Sequence, residues 1–490
     1  MVIEWFRKLR TLLRAMSSRS YTDNVPTRRR STSVDVNTSA PKREKRAAAR
    51  KRMPMEPQSR AVPTASLRNR AHSVRAVSDI DTAPSSECDV VIGLDFGTSR
   101  TKVVVRTPDY LDERAVAVCF EPQEDASNAH LLPARLWIDS EGVCRLEASS
   151  GRRVEDIKIG LFESFEGSAL NGGSKEKLDC ETIAVAYLAL VLQYTQAWFL
   201  RTQSDVVGHF DRFNWAVNLG VPSSHVGTSE TSRRFRRVGQ AACMLWDQTV
   251  ADAHVSLGKA EEALQAVDGF YDNPDGALGC EFEIKPEIVA AAVGYSHSDQ
   301  RREGVHMMID VGASTLDVCT FLLHQKDGSD RYSLLTADVA FLGTFRLEQD
   351  GRSELKADCD VALRRVIRAL LPPNGLAARE DIFSEHGRLP IFLTGGGSKH
   401  RFYSGCVDDL EDAIQNGFRV KSRGIRRIQL PVPDTIGGEA SVVFHRLAVA
   451  WGLSYRAVDI GDVIPAEAFE PGDPIKRIPW EDRYLSKDDM

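Results

Sequence analysis

Twice in this 490-residue chain an apolar run ends in an aspartate, crosses a short turn of glycine and small residues, and resumes as a second apolar run. The first is "VIGLDFGTSRTKVVV", Val91 to Val105, with Asp95 closing its first strand. The second is "HMMIDVGASTLDVCTFLL", His306 to Leu323, with Asp310 in the matching place and Asp317 on the returning strand. A third apolar strand, in "IFLTGGGSKH", stops at Gly395, Gly396 and Gly397. Glycine turns bring backbone N–H groups close to a ligand with no Cβ in the way, as phosphate oxygens require. An aspartate at the strand end answers a different need, because magnesium keeps much of its water shell and carboxylates grip it there. Any one such turn reads as an ordinary hairpin. Three of them, each following a buried strand, read as a clamp around a metal–triphosphate.

Between these turns, strand-like and helical segments alternate. Apolar runs in "NWAVNLGVP" and "PIFLTGG" interleave with helical patterns over 179–200, 229–245, 285–294, 357–371 and 440–455. The alternation predicts an α/β fold with mixed sheets. The most apolar stretch, "IAVAYLALVL" (Ile183 to Leu192), is short for a bilayer span and is followed by Gln193 and Gln196, so it reads as a buried helix.

The net charge of −6 conceals a division: residues 1–85 carry 19 Lys+Arg against 7 Asp+Glu, and the remainder carries 44 against 62. Residues 1–16 place Ile3, Phe6, Leu9, Leu13 and Met16 at helical spacing among arginines, an amphipathic basic helix. From there to about residue 87 large apolar residues are too few to offset ordering entropy, which predicts disorder. Nine cysteines without a C-x-x-C pair argue against a disulfide framework or zinc site and fit a cytoplasmic protein. The tail has three readings: an anionic membrane surface or protein partner, nucleic acid through its arginine clusters, or a solvating extension. Membrane or partner docking leads, and the expected location is cytoplasmic, with the N-terminal helix as the route to a peripheral place at a membrane.

The three turns resemble, in order, the first phosphate, second phosphate and adenosine motifs of the superfamily of actin, the DnaK-type heat-shock chaperones and the sugar kinases. "KPEIVAAAVGY" is similar to the chaperone segment in which a glutamate precedes an alanine-rich helix. "RLAVAWGLSY" is similar to the second crossover helix, with small residues where two helices pack closely. "LLPARLWIDSEG", "LGVPSSHVGTSETSRRFRRVGQAA" and "VAFLGTFRLE" favour the chaperone branch. The resemblance covers about residues 88–458 and implies a two-lobed actin-like ATPase with ribonuclease H-like lobes: lobe I over 88–303 and 438–458, lobe II over 304–437, and a short C-terminal tail over 459–490. It implies ATP or ADP with magnesium as ligands. Gly97, Thr98 and Ser99 would cradle phosphates opposite Gly312, Ser314 and Thr315. Asp95 and Asp310 would hold the hydrated metal, and Gly395, Gly396, Gly397 and Ser398 would line the adenosine. Glu287 would orient the attacking water, with Asp310 assisting as base. Lys158 sits where the chaperones place a phosphate-contacting lysine, and a solvated loop lysine is the equal alternative. Lys102 is open between a phosphate ligand and a strand-face residue.

Two departures qualify the resemblance. Ala313 and Ser314 replace glycines of the chaperone turn, and a Cβ in a left-handed backbone there would cost about 1–2 kcal/mol. Only about 30 residues follow the last helix, too few for a peptide-binding domain. The implied function is a slow ATPase acting as a nucleotide-driven switch on a protein partner, with oligomerisation open. The alternatives are a filament-forming actin relative, a carbohydrate-type kinase, and a nucleotide binder without turnover.

Overall fold

A computed structural model describes residues 87–110, 114–120, 128–147, 149–162, 179–222, 229–248, 254–272, 280–349, 352–368, 388–417 and 425–465. The basic tail and most of the C-terminal tail read from the sequence lie outside the described residues.

The first sheet grows around β1 (Glu87–Phe96), whose run from Val90 to Phe96 is buried throughout. A strand paired on both edges and covered on both faces needs such a continuous apolar run rather than alternation. β2 (Arg100–Arg106) returns antiparallel to it, while β8 (Arg212–Val221) and then β10 (Glu281–Pro286) run parallel. β3 (Ala115–Ala117) and β4 (Leu132–Pro133) both pair with β2. A small sheet of β5 (Leu136–Ile138), β6 (Val143–Arg145), β7 (Arg152–Val154) and β9 (Val255–Ser256) sits beside it in the order β7-β5-β6-β9.

A second six-stranded sheet repeats the plan around β11 (Gly304–Val311), with order β15-β14-β11-β12-β13-β16. β12 (Leu316–Lys326) and β13 (Ser329–Ala340) form an antiparallel meander, and β14 (Leu389–Thr394) and β15 (Ile425–Ile428) lie parallel on the other edge. β16 (Asp462–Ile464) pairs parallel with β13, so a strand of this sheet falls within residues read from the sequence as tail. Both sheets are mixed and helices alternate with their strands, as the pattern of apolar runs predicts.

Helices fill three layers. α1 (Cys180–Thr202), α2 (Glu230–Gln248) and α3 (Leu257–Asp272) share one core with the first sheet. α5 (Arg352–Arg368) and α6 (Arg401–Gly417) cover one face of the second sheet. Between the sheets, α4 (Glu287–Ser296) and α7 (Phe444–Leu453) join Val104 of β2 to Met308, Phe321 and Phe392 of the second sheet in one cluster. The helix expected over 440–455 breaks at Val443, where the backbone leaves helical geometry. α1 is longer than its apolar run: by length and composition its 23 residues could span a bilayer, yet they are largely buried inside the protein.

α4 and α7 cross in backbone contact. A Cβ on Gly452 would come within 1.8 Å of the Ala290 carbonyl oxygen, and one on Gly93 within 2.2 Å of the Ala450 oxygen. Gly452→Ala is therefore expected to cost about 3 kcal/mol, measured by urea unfolding; a loss no larger than that of an exposed substitution would show that the crossing yields.

Deeper in this layer, the His306 ring lies between Phe321 and Phe392. Its Nδ1 sits 2.9 Å from the Gly304 carbonyl, which assigns the proton to that nitrogen, and Nε2 accepts from the Tyr295 hydroxyl at 3.2 Å. Burial lowers this imidazole from 6.5 to about 4. Because the unfolded chain binds the extra proton, stability falls as pH drops from about 6.5 to about 4, by about 3 kcal/mol in all. Unfolding free energies across this range should carry that slope in the wild type and lose it in His306→Asn.

Candidate functional site

Hairpin register decides which side chains share a face. Asp95 lies opposite Lys102 in the β1–β2 pair, and Lys102 Nζ donates to Asp95 Oδ2 at 2.9 Å. Asp310 lies opposite Asp317 in the β11–β12 pair. Thus both aspartates stand at the ends of central strands, one in each sheet.

The turns after them close differently from a simple row of glycine donors. The N–H groups of Gly97, Gly312, Gly395 and Gly397 are already bound to the carbonyls of Asp95, Thr315, His445 and Val311. The amides of Thr98, Ser99, Ala313, Ser314, Thr315 and Gly396 make no hydrogen bond among the described residues. The glycines shape the turns, and the residues around them carry the open donors. Ala313 and Ser314 are not left-handed, so the cost considered for a Cβ there does not arise. The carbonyls of Gly312, Ala313 and Ser314 accept from the segment Gly343 to Phe345, which holds this turn in place.

Gly395 is a turn glycine the geometry cannot replace. It has φ +87°, and a Cβ on it would meet Asp310 Oδ1 at 2.0 Å. Its absence of a side chain lets the third turn close over the second aspartate. Ser398 takes a structural part: its hydroxyl donates to the Gly395 carbonyl at 2.8 Å.

β10 runs straight into α4, with Pro286 as the capping residue and Glu287 the first helical one. Gly220 on β8 leaves room for the Glu287 side chain, since a Cβ there would lie 2.9 Å from its Cγ. Lys158 leads into a 3₁₀ turn (Ile159–Leu161), and its Nζ donates to Glu287 Oε1 at 2.5 Å. Lys158 is thus a buried site residue and not a solvated one, with 7% of its side chain exposed against 10% for Glu287. Burial disfavours the Lys158 ammonium, but the carboxylates of Glu287 and Asp95 outweigh it and keep the amine charged. Burial pushes the Glu287 carboxyl up, and Lys158 draws it only part of the way back.

These groups converge on a cavity of about 190 Å³ between the two sheets. It is lined by Asp95, Lys158, Glu287 and Asp310, by Gly97, Thr98 and Ser99, by Gly312 and Thr315, and by Gly395, Gly396 and Gly397. Of the residues singled out from the sequence, Ser314 and Ser398 are not in its lining. Lys102, Arg100, Arg446, Thr394 and Ala313 join it. The pairing of Lys102 with Asp95 follows from hairpin register and was legible in principle. Arg446 arrives through the packing of α7, which leaves no local signal in the sequence.

Asp310 is the exceptional group of this cavity. Its Oδ1 is buried without a hydrogen-bond partner, and no ion pair reaches it among the described residues. Burial first, then the carboxylates of Glu287 and Asp95, push its pKa up to about 7. A carboxyl poised there can exchange a proton near neutrality or trade it for a cation. Among the described residues no group of three or more His, Cys, Asp and Glu could hold a metal ion directly. A cation here would need water and ligand oxygens to complete its shell. A larger cavity of about 510 Å³ opens at the other end of the first sheet among Asp89, Trp215 and Arg456, but there Arg456 is already paired with Asp89 and Asp109. No protein-family model matches the chain, and no curated protein matches it.

The Lys158–Glu287 contact makes a measurable claim. Lys158→Ala leaves a buried carboxyl without its partner and is expected to destabilise by about 3–5 kcal/mol, while Lys158→Met with Glu287→Leu recovers most of that loss. Denaturant unfolding of the three proteins decides it, and equal losses in single and double variants would remove the pair from the site's energetics.

Proposed function

We propose that the chain is a nucleotide-binding protein of the actin and heat-shock-chaperone kind, with ATP held between two lobes and slowly hydrolysed. The observation that carries this reading is the meeting of two strand-end aspartates, Asp95 and Asp310, from separate sheets in one cavity with Glu287, Lys158 and two turns of unpartnered amides. Lobe I would be built on the first sheet and lobe II on the second, with α4 and α7 as the shared layer. The chaperone-like reading makes the protein a cytoplasmic switch acting on a protein partner.

The residues present fit a magnesium ion: Asp310 is a buried carboxylate with an unpartnered oxygen, and Asp95 keeps Oδ1 outside its contact with Lys102. Bound there with the nucleotide, magnesium would neutralise phosphate charge. The chain's own groups do the rest. The amides of Thr98, Ser99, Ala313 and Thr315 take phosphate oxygens, Lys102 and Lys158 add charge, and Glu287 or Asp310 accepts the proton of the attacking water. Such a site works by positioning and electrostatics.

The cavity is smaller than the roughly 300–1,000 Å³ of an ordinary small-molecule pocket. In this conformation it suits a phosphate chain, and a whole nucleotide requires the cleft to widen. That requirement supports a switch, because contacts from both lobes to the γ-phosphate favour closure.

A second reading rests on the ion pairs. Glu287 is held by Lys158 and Asp95 by Lys102, so the water-orienting and metal-holding carboxylates are both engaged. A site wired this way can bind nucleotide without turning it over. Two measurements separate the readings. Magnesium ATP at about 100 times its Kd is expected to stabilise the wild type by about 2.7 kcal/mol, and Asp310→Asn to reduce the shift. Steady-state ATP turnover should fall in Glu287→Gln; equal rates in both proteins select the binding-only reading, and no thermal shift in the wild type removes the nucleotide.

A further inference from the structure

The charged groups lining the cavity are not all accounted for by the proposed site. Lys158 pairs with Glu287 and Lys102 with Asp95, while Asp310 is the carboxylate left for a cation. One cation remains. Arg446, the third residue of α7, makes no ion pair or hydrogen bond through its guanidinium among the described residues, and its Nε is buried.

Its position is set by the start of α7. The His445 carbonyl accepts from Gly395 N at 3.1 Å and from Thr394 Oγ1 at 2.9 Å, which presses this end of the helix against the third turn. The guanidinium then lies beside Gly396: a Cβ there would stand 3.6 Å from both Nε and Nη2. The Gly396 N–H is itself without a partner among the described residues. Arg446 Nε, buried without an acceptor, and the open N–H of the exposed Gly396 thus sit together on the wall of a cavity already suited to phosphate.

A buried donor without an acceptor is costly, and native structures rarely keep one that nothing fills. The guanidinium fork matches phosphate oxygens two at a time, which a lysine cannot do. Burial and the neighbouring Arg100 both disfavour its charge here, with only Asp95 opposing, so an anion placed against it would relieve a real deficit.

We propose that Arg446 is a phosphate ligand of this site, acting with the Gly396 N–H, and that it makes the site select polyphosphates over nucleosides. The proposal rests on the nucleotide reading above for the identity of the bound polyphosphate. Gly396 has a role in it as well, since its missing side chain leaves the fork open to the ligand.

The test is calorimetric titration of the full-length protein with adenosine, magnesium ATP and magnesium tripolyphosphate, using the wild type, Arg446→Gln, Arg446→Lys and Gly396→Ala. Arg446→Gln is expected to weaken ATP and tripolyphosphate binding by about 10- to 100-fold while leaving adenosine unchanged. Arg446→Lys should recover part of the loss. Gly396→Ala, whose new methyl fits at ordinary contact distance, should show the same selective loss in a folded protein. Equal weakening of adenosine and ATP, or unchanged polyphosphate affinity in all variants, overturns the assignment. If tripolyphosphate binding depends on Arg446 but ATP binds no tighter than tripolyphosphate, Arg446 stands as a phosphate ligand and the nucleotide reading falls. A wild type that binds none of the three overturns both.

Discussion

The backbone contact between α7 and α4 governs the rest of the molecule. Gly452 lies directly on Ala290, at a separation that excludes even a methyl group. This crossing fixes the two helices against one another, and both carry site groups in their first turns: Glu287 opens α4, and Arg446 sits in the first turn of α7. A crossing loosened by a side chain would shift both groups relative to the strand ends. The small residues of "RLAVAWG" therefore bear on the geometry of the cavity as much as on packing.

The cavity concentrates charge where burial makes charge expensive. Lys158 and Glu287 offset one another across the shortest such contact, and Lys102 does the same for Asp95 from the facing strand. Asp310 has no such relief, and burial first, then the carboxylates of Glu287 and Asp95, raise its pKa. Proteins retain unrelieved buried groups of this kind mainly at sites that do chemistry or bind ions. The unrelieved charge of Asp310 singles out this cavity independently of any likeness in sequence.

Much of this was legible beforehand. The strands at Val91, His306 and Ile391 announce themselves by continuous apolar runs, and the aspartates at their ends by contrast with those runs. The N-terminal position of Glu287 follows from the proline before it, which favours the start of a helix. Other features were not legible because they depend on contacts remote in sequence. β16 is three residues long and acquires its identity from the edge of β13. Ser398 turned inward to Gly395 because the third turn is tight, and a hydroxyl beside glycines gives no hint of which way it points. The open amides fell to neighbours of the glycines because Gly97, Gly312, Gly395 and Gly397 spend their own N–H groups closing the turns.

α7 is tied at both ends, and to different sheets. At its start, the His445 carbonyl receives two hydrogen bonds from the third turn of the second sheet. At its end, Asn218 of β8 donates at 2.8 Å to the carbonyls of both Leu453 and Tyr455, and Arg106 of β2 donates to Ser454 Oγ while lying over Trp451 and Tyr455. The helix is thus a beam whose two anchors belong to the two sheets. A shift of one sheet against the other would strain one set of these bonds, so the helix couples the ends of β1 and β11, where Asp95 and Asp310 stand.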